Sequence, residues 1–452
     1  MNRTRSLLYV STLLILLPPC VGRAQDTRRN AAETSGAGIS LSLTKPEAAG
    51  FASRRLERLH EVMQRAVDEQ YYSGVVTILA RHGKVIDYGV YGKKDIASAA
   101  PMAKDTIFRI FSMTKPVTAV AMMILYEQGK WLPSDSISKY VPEFADLKVF
   151  KAVGQDGKLV LERPSHPPTM QELMTHTAGF TYGFFSQGPV QKLYMDKAVM
   201  RSVSLKEMID KLAEIPLLYQ PGSQWEYSLS VDIQGYIIEK LSGQSLPDFM
   251  EQEIFEPLGM RDTGFVVPKD KQGRVATLYR PDKDGNLEAD ASGGGMASDY
   301  SKQPTMPSGG GGLVSTAEDY FRLAQMLANS GELNGVRILS PSSVRLLSSN
   351  HLAPELTMGG FGVGIQNFRP GFGYGYDCAV IYDPSAANLP DGRGTFLWDG
   401  AAGTWFWVDP TNDVVFVGMI QRMFGPNTRS DVPILEYLSH SLVYQALIDA
   451  TK

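Results

Sequence analysis

Strand-forming segments lie at the two ends of the chain, and this distribution constrains the fold more than any other feature. Residues 75–91 are rich in β-branched and aromatic residues on both sides of a His82-Gly83 turn. Residues 395–421 contain two further runs of this kind around a turn at 409–413. The segments between them show helical spacing and long Gly/Pro-containing connections. The pattern predicts an α+β fold, with an antiparallel sheet built from both chain ends, flanked by helices, and a mainly helical lobe inserted between them.

Apolar residues recur at helical spacing in seven segments, and several of these segments have recognisable start or stop residues. Ser315-Thr316-Ala317-Glu318, for example, is a capping box that follows the glycine run 309–312. That glycine run lacks the Gly-Lys-Ser/Thr ending of a phosphate-binding loop, so we interpret it as an introduction to a helix. Helices are predicted at 52–70, 112–128, 170–176, 205–213, 231–242, 316–329 and 432–449.

Composition excludes several classes of protein. The 452 residues are enough for a sizeable core, and 43% hydrophobic and 20% charged residues are typical of a globular protein. The formal net charge of -4 supplies no basic field for a polyanion, so we expect no nucleic-acid binding. Only Cys20 and Cys378 are present, too few for a disulfide scaffold or a cysteine-built zinc site. The hydrophobic core must therefore hold the fold.

The first 24 residues have the pattern of a cleaved signal peptide. A basic start is followed by an apolar stretch from Leu7 to Leu17 and by a small-x-small ending at Ala24. A retained membrane anchor would need about 20 apolar residues. A lipoprotein is a further alternative because Cys20 follows the apolar run, but Pro19 stands where such signals want a small residue. We expect a periplasmic or secreted protein with a flexible leader at 25–45 and no stable membrane span after cleavage.

The search for catalytic residues leads to a serine and a lysine. The six histidines are scattered, with no pair at i, i+4, so we expect no metal site. No Gly-x-Ser-x-Gly nucleophile elbow occurs, which argues against an α/β-hydrolase. Ser-x-x-Lys remains, a motif that places a serine and a lysine on one helix face, where the helix N-terminus favours developing negative charge. The sequence contains it at Ser42, Ser112 and Ser136.

Sequence context favours Ser112 over the other two matches. Ser42 lies at the edge of the polar leader, and Ser136 lies in a Pro-Ser-Asp-Ser stretch that is typical of a surface turn. Ser112 follows an apolar segment and opens the most hydrophobic helix, so Lys115 would be desolvated between core elements. From the residues alone, a catalytic serine and a plain helix cap both stay open, with the catalytic interpretation moderately favoured.

The segment 108–116, Phe-Arg-Ile-Phe-Ser-Met-Thr-Lys-Pro, resembles the active-site segment of the serine β-lactamase-like family. That family includes class C β-lactamases, low-molecular-weight penicillin-binding proteins and family VIII carboxylesterases, the group that this chain resembles most. The resemblance extends over about residues 46–450, and several motifs in the family's order make it more specific than any single one. The further matching segments are 173–180, 225–229, 255–260, 309–316 and 398–404.

The resemblance implies a role for each matching residue. Ser112 would be the acylated nucleophile, Lys115 its proton partner, and Tyr227 a second base or proton shuttle, provided that positive charge lowers the pKa of its phenol. The oxyanion hole would come from the backbone N–H groups of Ser112 and Ala401. Gly400 would allow a close approach of backbone to substrate. Without the resemblance, Tyr227 would be interpreted as a buried aromatic residue.

Two departures from the family pattern bear on the substrate. Penicillin-recognising members carry a cationic Lys-Thr-Gly triplet where this chain has Trp398-Asp399-Gly400. They also carry an asparagine at the position of Leu229. Both changes replace polar recognition groups by apolar surface, as in family VIII esterases, and Asp399 is unusual even there. We interpret His176, which also belongs to a family motif, as structural.

The resulting prediction is an exported serine hydrolase that cleaves carboxylic esters with short acyl chains, without metal or organic cofactor. A β-lactamase or D-alanyl-D-alanine peptidase of the same fold is the first alternative, and an inactive binding protein of this fold is the second. Ser112, Tyr227 and Gly400 come from the front, the middle and the back of the chain. Because they must meet in one pocket, we expect a single catalytic domain at 46–452. Its α/β lobe would span about 46–125 and 310–452, and its helical lobe about 126–309.

Overall fold

An eight-stranded antiparallel sheet joins the two ends of the chain. The structure, a computed structural model, describes residues 42–292, 299–356 and 370–449, which belong to one compact unit. The predicted signal peptide at 1–24 and most of the predicted leader therefore lie outside the described residues. The strands are β1 Gly74–Arg81, β2 Lys84–Asp95, β3 Ala100–Pro101, β4 Phe108–Arg109, β5 Val149–Val153, β6 Leu159–Glu162, β7 Tyr279–Pro281, β8 Leu287–Ala289, β9 Val314–Ser315, β10 Glu332–Leu333, β11 Val336–Arg337, β12 Phe372–Tyr374, β13 Ala379–Ile381, β14 Thr395–Asp399, β15 Trp405–Asp409 and β16 Val414–Met419.

The central sheet has the strand order β12-β13-β14-β15-β16-β1-β2-β3. Strand β1 from the front of the chain pairs with β16 from the back, in a register that runs from Val76 opposite Met419 to Arg81 opposite Val414. All eight residues of β1 and all six of β16 are buried, as expected for central strands covered on both faces. The predicted sheet from both chain ends is confirmed.

The seven predicted helices are all present, six of them within two residues of the predicted bounds, and further helices of eight residues or fewer lie between them. Six of the described helices lie within 126–309, the segment predicted as a mainly helical lobe. The described helices are α1 Ser53–Asp68, α2 Thr114–Glu127, α3 Met170–Met174, α4 Pro189–Asp196, α5 Leu205–Ala213, α6 Ser230–Ser242, α7 Leu246–Met250, α8 Glu256–Leu258, α9 Ala317–Ala328, α10 Pro341–Leu347, α11 Pro384–Ala387 and α12 Leu435–Tyr444. Within the described residues no helix combines the length and apolarity needed to cross a bilayer.

Helix α12 is shorter than the predicted 432–449. Pro433 disfavours a helical conformation for the residue before it. Beyond the end of α12, the backbone N–H groups of Ile448 and Asp449 bond to the carbonyl oxygen of Gly50 instead of continuing the helix. The periodicity of apolar residues did not reveal this tertiary contact between the two chain ends.

Strand β15 shows which helices cover which face of the sheet. Trp405 and Trp407 contact α12, through a hydrogen bond from the indole of Trp405 to Ser439 and stacking of Trp407 on His440. Phe406 packs against Tyr320 of α9. Because successive strand residues point to opposite faces, α12 and α9 lie on opposite sides of the sheet.

Candidate active site

Ser112 lies in a tightly fixed turn between a short strand and the most deeply buried helix. Strand β4 pairs with β9, and the side chain of Gln421 accepts a hydrogen bond from the backbone N–H of Arg109 and donates one to its carbonyl. A 3-10 turn at Phe111–Met113 then leads into α2, and Phe111 adopts a positive φ of 43°. Such a backbone conformation is uncommon for a residue other than glycine and clusters at functional sites. Ser112 keeps part of its surface exposed.

The three residues that the resemblance implicates meet at one oxygen atom. The Tyr227 hydroxyl donates a hydrogen bond to Ser112 Oγ at 2.8 Å, and Lys115 Nζ lies 3.1 Å from the same Oγ. Lys115 Nζ also donates to the carbonyl of Gly310 at 2.6 Å. A neutral Lys115 amine can keep that bond and accept the Ser112 proton with its lone pair. In this arrangement the lone pair of the Lys115 amine is available to accept the proton of the Ser112 hydroxyl.

Burial favours the neutral amine form of Lys115. Its side chain is completely buried, and desolvation lowers its pKa from 10.5 to about 8, although Asp232, Asp377 and Asp399 act in the opposite direction. Its ammonium group lies 4.7 Å from the ring centre of Tyr227 and 5.5 Å from that of Tyr182. Such a cation–π arrangement partly replaces the lost water.

The Tyr227 phenol keeps its proton in this structure. Burial raises its pKa well above the ordinary value, the carboxylates of Asp399 and Asp232 add to the rise, and the hydrogen bond with Ser112 opposes it. The expected lowering of this pKa by positive charge is therefore not found. Lys115 is the better base of the pair, and Tyr227 is suited to donating a proton.

The glycine run holds the polar face of α2. Thr118 Oγ1 donates to the carbonyl of Gly309 at 2.7 Å, and the backbone N–H of Leu313 donates to Thr114 Oγ1 at 3.1 Å. Together with the Lys115 bond to Gly310, these contacts attach one face of the helix to residues 309–313. The interpretation of this run as a structural loop ahead of a helix agrees with the geometry.

The end of β14 packs directly against the segment before Ser112. A Cβ atom at Gly400 would lie 2.3 Å from the carbonyl oxygen of Ile110, so the backbone approaches too closely for any side chain. Thr404 Oγ1 also donates to that carbonyl at 3.3 Å. Ala401 packs near Phe111, and its backbone N–H has no acceptor within the described residues. A free N–H beside the serine turn is what an oxyanion hole requires.

Trp398 and Leu229 lie inside the protein, so the prediction that they offer apolar surface to a substrate is wrong. Both side chains are completely buried. Leu229 precedes α6 in the core, and the Trp398 ring packs 5.6 Å from that of Tyr227. In these positions neither side chain offers a surface to a substrate, and Trp398 bears on the site through its packing against Tyr227.

Asp399 lies on the opposite face of the sheet from Trp398. Its register partner is Trp405, which contacts α12, whereas the partner of Trp398 is Phe406, on the α9 face. On the α12 side, burial and the Asp399 carboxylate together raise the pKa of Glu436 well above its ordinary value. Strand alternation thus directs Asp399 away from the face that carries Trp398.

His176 occupies a structural position next to Tyr227. Its Nδ1 accepts a hydrogen bond from the backbone N–H of Ser228 at 3.2 Å and lies 2.8 Å from Ser228 Oγ. The imidazole is completely enclosed among aromatic rings, 5.1 Å from Tyr227, and burial holds its pKa well below 6.5. A neutral ring that fixes the residue after Tyr227 agrees with the structural interpretation.

Tyr227 has a group of aromatic neighbours that was not predicted. Tyr182 and Phe185 lie 5.3 and 5.7 Å from the Tyr227 ring, and Phe184 packs 4.4 Å from Phe185 while remaining 43% exposed. The density of aromatic residues in 180–185, directly after the matching segment 173–180, is the sequence feature that could have indicated it. We call residues 182–185 the aromatic wall.

The other two Ser-x-x-Lys matches have the surroundings that their sequence context predicts. Ser42 and Lys45 are exposed. Ser136 caps a short 3-10 turn through the backbone N–H of Ser138, and Lys139 pairs with Asp135 at 3.0 Å. Neither lysine is desolvated, so neither serine has a base beside it.

The described residues contain no cluster of three or more His, Cys, Asp or Glu side chains that could hold a metal ion. Cys378 is buried, and burial raises the pKa of its thiol.

Fold and site together place the chain in one class of protein, the serine hydrolases that carry a Ser-x-x-Lys motif. The Beta-lactamase family model matches residues 59–438, and the chain belongs to this family. Protein Rv1367c of Mycobacterium tuberculosis is 36% identical over 80% of this chain and 88% of its own length. Esterase EstB of Burkholderia gladioli is 32% identical over 78% of this chain and 86% of its own length.

Among solved structures, EstCE1, described as a hydrolase with promiscuous acyltransferase activity, superposes with a TM-score of 0.70 and 28% identity. The match covers 86% of this chain and 99% of EstCE1. The chain is thus a β-lactamase-related serine hydrolase with esterase and acyltransferase homologues.

Proposed function

We propose that this enzyme is an exported carboxylesterase that cleaves neutral esters with short acyl chains through an acyl-Ser112 intermediate. The observation that carries the proposal is the convergence of Lys115 and Tyr227 on Ser112 Oγ, at 3.1 and 2.8 Å. A serine hydroxyl becomes an efficient nucleophile only when a neighbouring group takes its proton. The lowered pKa of Lys115 and the raised pKa of Tyr227 supply a base and an acid at one oxygen.

The proposed acylation step keeps protons in balance. Neutral Lys115 takes the Ser112 hydroxyl proton while Oγ bonds to the ester carbonyl carbon, and the N–H groups of Ser112 and Ala401 bind the oxyanion. The C–O bond to the alcohol then breaks, and Tyr227 donates its proton to the leaving alkoxide. The Lys115 ammonium returns a proton to Tyr227. Water repeats the sequence on the acyl-enzyme and releases the acid, whereas an alcohol would carry the acyl group away.

Charge around the site favours an ester over the substrates of the first alternative. β-Lactams and D-alanyl peptides carry a carboxylate near the scissile bond, and the family's cationic lysine is replaced here by Trp398. Trp398 offers no positive charge to such a carboxylate, and Asp399 on the same strand acts on Lys115 as a negative charge. The exposed Phe184 of the aromatic wall instead offers apolar surface to the substrate. Relatives named as esterases support the same choice.

A comparison of two substrates tests the proposal. Purified protein is assayed on p-nitrophenyl butyrate and on a chromogenic cephalosporin, with Ser112→Ala as the control, and a fluorophosphonate probe reports reactivity of Ser112. We expect ester cleavage and labelling in the wild type only. Fast cephalosporin turnover with negligible ester cleavage would instead favour a β-lactamase. Absence of both activities and of labelling would favour the inactive binding protein.

Export has its own test. The basic start, the short apolar stretch and the small-x-small ending of residues 1–24 support a secretory signal. Expression of the full chain in a Gram-negative host, followed by fractionation and intact mass measurement, should give a periplasmic or secreted protein that begins at Gln25. A cytoplasmic protein that retains Met1 to Ala24 would contradict the proposal.

A further inference from the structure

A buried carboxyl group that the mechanism above does not use lies behind Lys115. Asp232 belongs to the first turn of α6, and its side chain is completely buried. Its Oδ1 accepts hydrogen bonds from Ser308 Oγ at 2.5 Å and from the backbone N–H of Gly310 at 3.2 Å. Acidic residues in a first helical turn are usually exposed, where they favour the helix without losing water. Burial of this one requires specific partners, and both of them precede or belong to the glycine run.

Gly310 connects Asp232 to Lys115. Its N–H is held by Asp232, and its carbonyl accepts the bond from Lys115 Nζ at 2.6 Å. The same Nζ lies 3.1 Å from Ser112 Oγ. A change in the orientation of Gly310 would remove the acceptor that directs the Lys115 amine, so the bonds from Asp232 to Ser112 form one continuous series.

The contact between Asp232 and this loop is also steric. A Cβ atom at Gly310 would lie 2.7 Å from Asp232 Oδ2 and 3.0 Å from the hydroxyl of Tyr182. The carboxyl group therefore lies directly against the Gly310 Cα. Removal of the Asp232 side chain would both break the hydrogen bond to the loop and open the space that keeps Gly310 in place.

We propose that Asp232 is a positioning residue for the Lys115 base, which it directs toward Ser112 by fixing the Gly310 carbonyl. The proposal rests on the proposed acyl-Ser112 chemistry. Asp232 is not hydrogen-bonded to Ser112, and its hydrogen-bonded connection to Lys115 passes through Gly310. A displacement of a catalytic group by about 1 Å can lower the rate on the order of 100-fold.

Three full-length variants test the role of Asp232. Asp232→Ala removes both hydrogen bonds, whereas Asp232→Asn retains an oxygen that accepts from Gly310 and Ser308. Asp377→Ala is the matched control, because Asp377 is an equally buried carboxyl that acts on Lys115 but hydrogen-bonds to Gln234. The readouts are kcat and KM for p-nitrophenyl butyrate and the rate of fluorophosphonate labelling, after circular dichroism has shown that each variant is folded.

We expect Asp232→Ala to lower kcat and the labelling rate on the order of 100-fold while KM changes by less than about threefold. Asp232→Asn should recover to within about tenfold of the wild type, and Asp377→Ala should lose less than about threefold. A merely structural role would lower the folded fraction and would leave the kcat of the folded enzyme unchanged. If Asp232→Ala does not fold, Ser308→Ala decides, because it removes one of the two bonds and should still lower kcat severalfold.

Several results would overturn the role of Asp232. The first is equal labelling rates for Asp232→Ala and the wild type, and the second is a kcat of Asp232→Asn as low as that of Asp232→Ala. The third is a loss of kcat in Asp377→Ala as large as that in Asp232→Ala. If Asp232→Ala does not fold, an unchanged kcat in Ser308→Ala would overturn the role. Failure of the proposed function looks different, because the wild type itself would then not be labelled at Ser112.

Discussion

The pKa of Lys115 determines how the rate should depend on pH. With a pKa of about 8, about one tenth of the free enzyme carries the neutral amine at pH 7 and about nine tenths at pH 9. Only that form can take the Ser112 proton, so kcat/KM should rise about tenfold between these pH values and then level off. For an unburied lysine, with a pKa of 10.5, the neutral fraction of the amine would still be rising at pH 10.

The measurement is kcat/KM for p-nitrophenyl butyrate from pH 6 to 10, because this quantity reports the free enzyme. Spontaneous hydrolysis rises with pH and is subtracted from parallel reactions with Ser112→Ala. Thermal unfolding at each pH confirms that the enzyme stays folded. A midpoint near 10.5, or a rate that falls from pH 7 to pH 9, would refute the assignment of Lys115 as the base.

Three further predictions concern other parts of the molecule. Phe184→Ala should lower kcat/KM for p-nitrophenyl butyrate, relative to that for p-nitrophenyl acetate, about threefold or more, because exposed apolar surface is lost. An unchanged ratio would show that Phe184 does not contact the acyl chain. Gly400→Ala should lower kcat about 100-fold, since its Cβ would lie 2.3 Å from the carbonyl oxygen of Ile110 and displace the oxyanion edge, and wild-type kcat would show that the edge is not used. The hydrogen bond with Asp87 raises the pKa of His60, so this pair stabilises the fold below about pH 6.5 and the gain is lost as pH rises through the folded pKa. Between pH 5 and pH 8, the free energy of unfolding of the wild type should fall by less than about 1 kcal/mol relative to that of His60→Gln, because the pair is partly exposed. An identical pH dependence in the two proteins would exclude this contribution of the His60–Asp87 pair.

Local patterns in the sequence were sufficient for the central sheet and for most of the longer helices. The His82-Gly83 turn between two β-rich runs and the helix predicted at 205–213 agree with β1, β2 and α5 as observed. The choice of Ser112 over Ser136 also rested on local context, since Lys139 follows a turn and pairs with Asp135. These features depend on spacing along the chain, which the sequence displays directly.

The environment of the site residues depended on long-range packing instead. Asp232 and Gly310 are 78 positions apart, and neither residue type indicates their hydrogen bond. The face of β14 to which Asp399 points follows from its pairing with Trp405, and the burial of Trp398 follows from the rings around it. Sequence patterns therefore singled out Ser112, Lys115 and Tyr227, which the structure brings together, but not which neighbouring residues reach the surface or how the protons are held.

The proposed role of Lys115 as a base requires the large core in which its side chain is buried. The fall in pKa from 10.5 to about 8 corresponds to about 3 kcal/mol by which the fold disfavours the charged amine. At pH 7 the charged Lys115 therefore lowers the free energy of unfolding by about this amount. Most of this loss disappears between pH 8 and pH 10.5, because in that range the unfolded chain binds more protons than the folded one.

Lys115→Met should abolish ester cleavage and remove that pH dependence. Its stability relative to the wild type at any one pH also includes the lost hydrogen bond to Gly310, so the change with pH is the informative quantity. Between pH 7 and pH 10, urea unfolding should show the wild type gaining about 2–3 kcal/mol relative to the variant. A constant difference would mean that Lys115 is not desolvated, and the acid–base assignment at Ser112 would lose its physical basis.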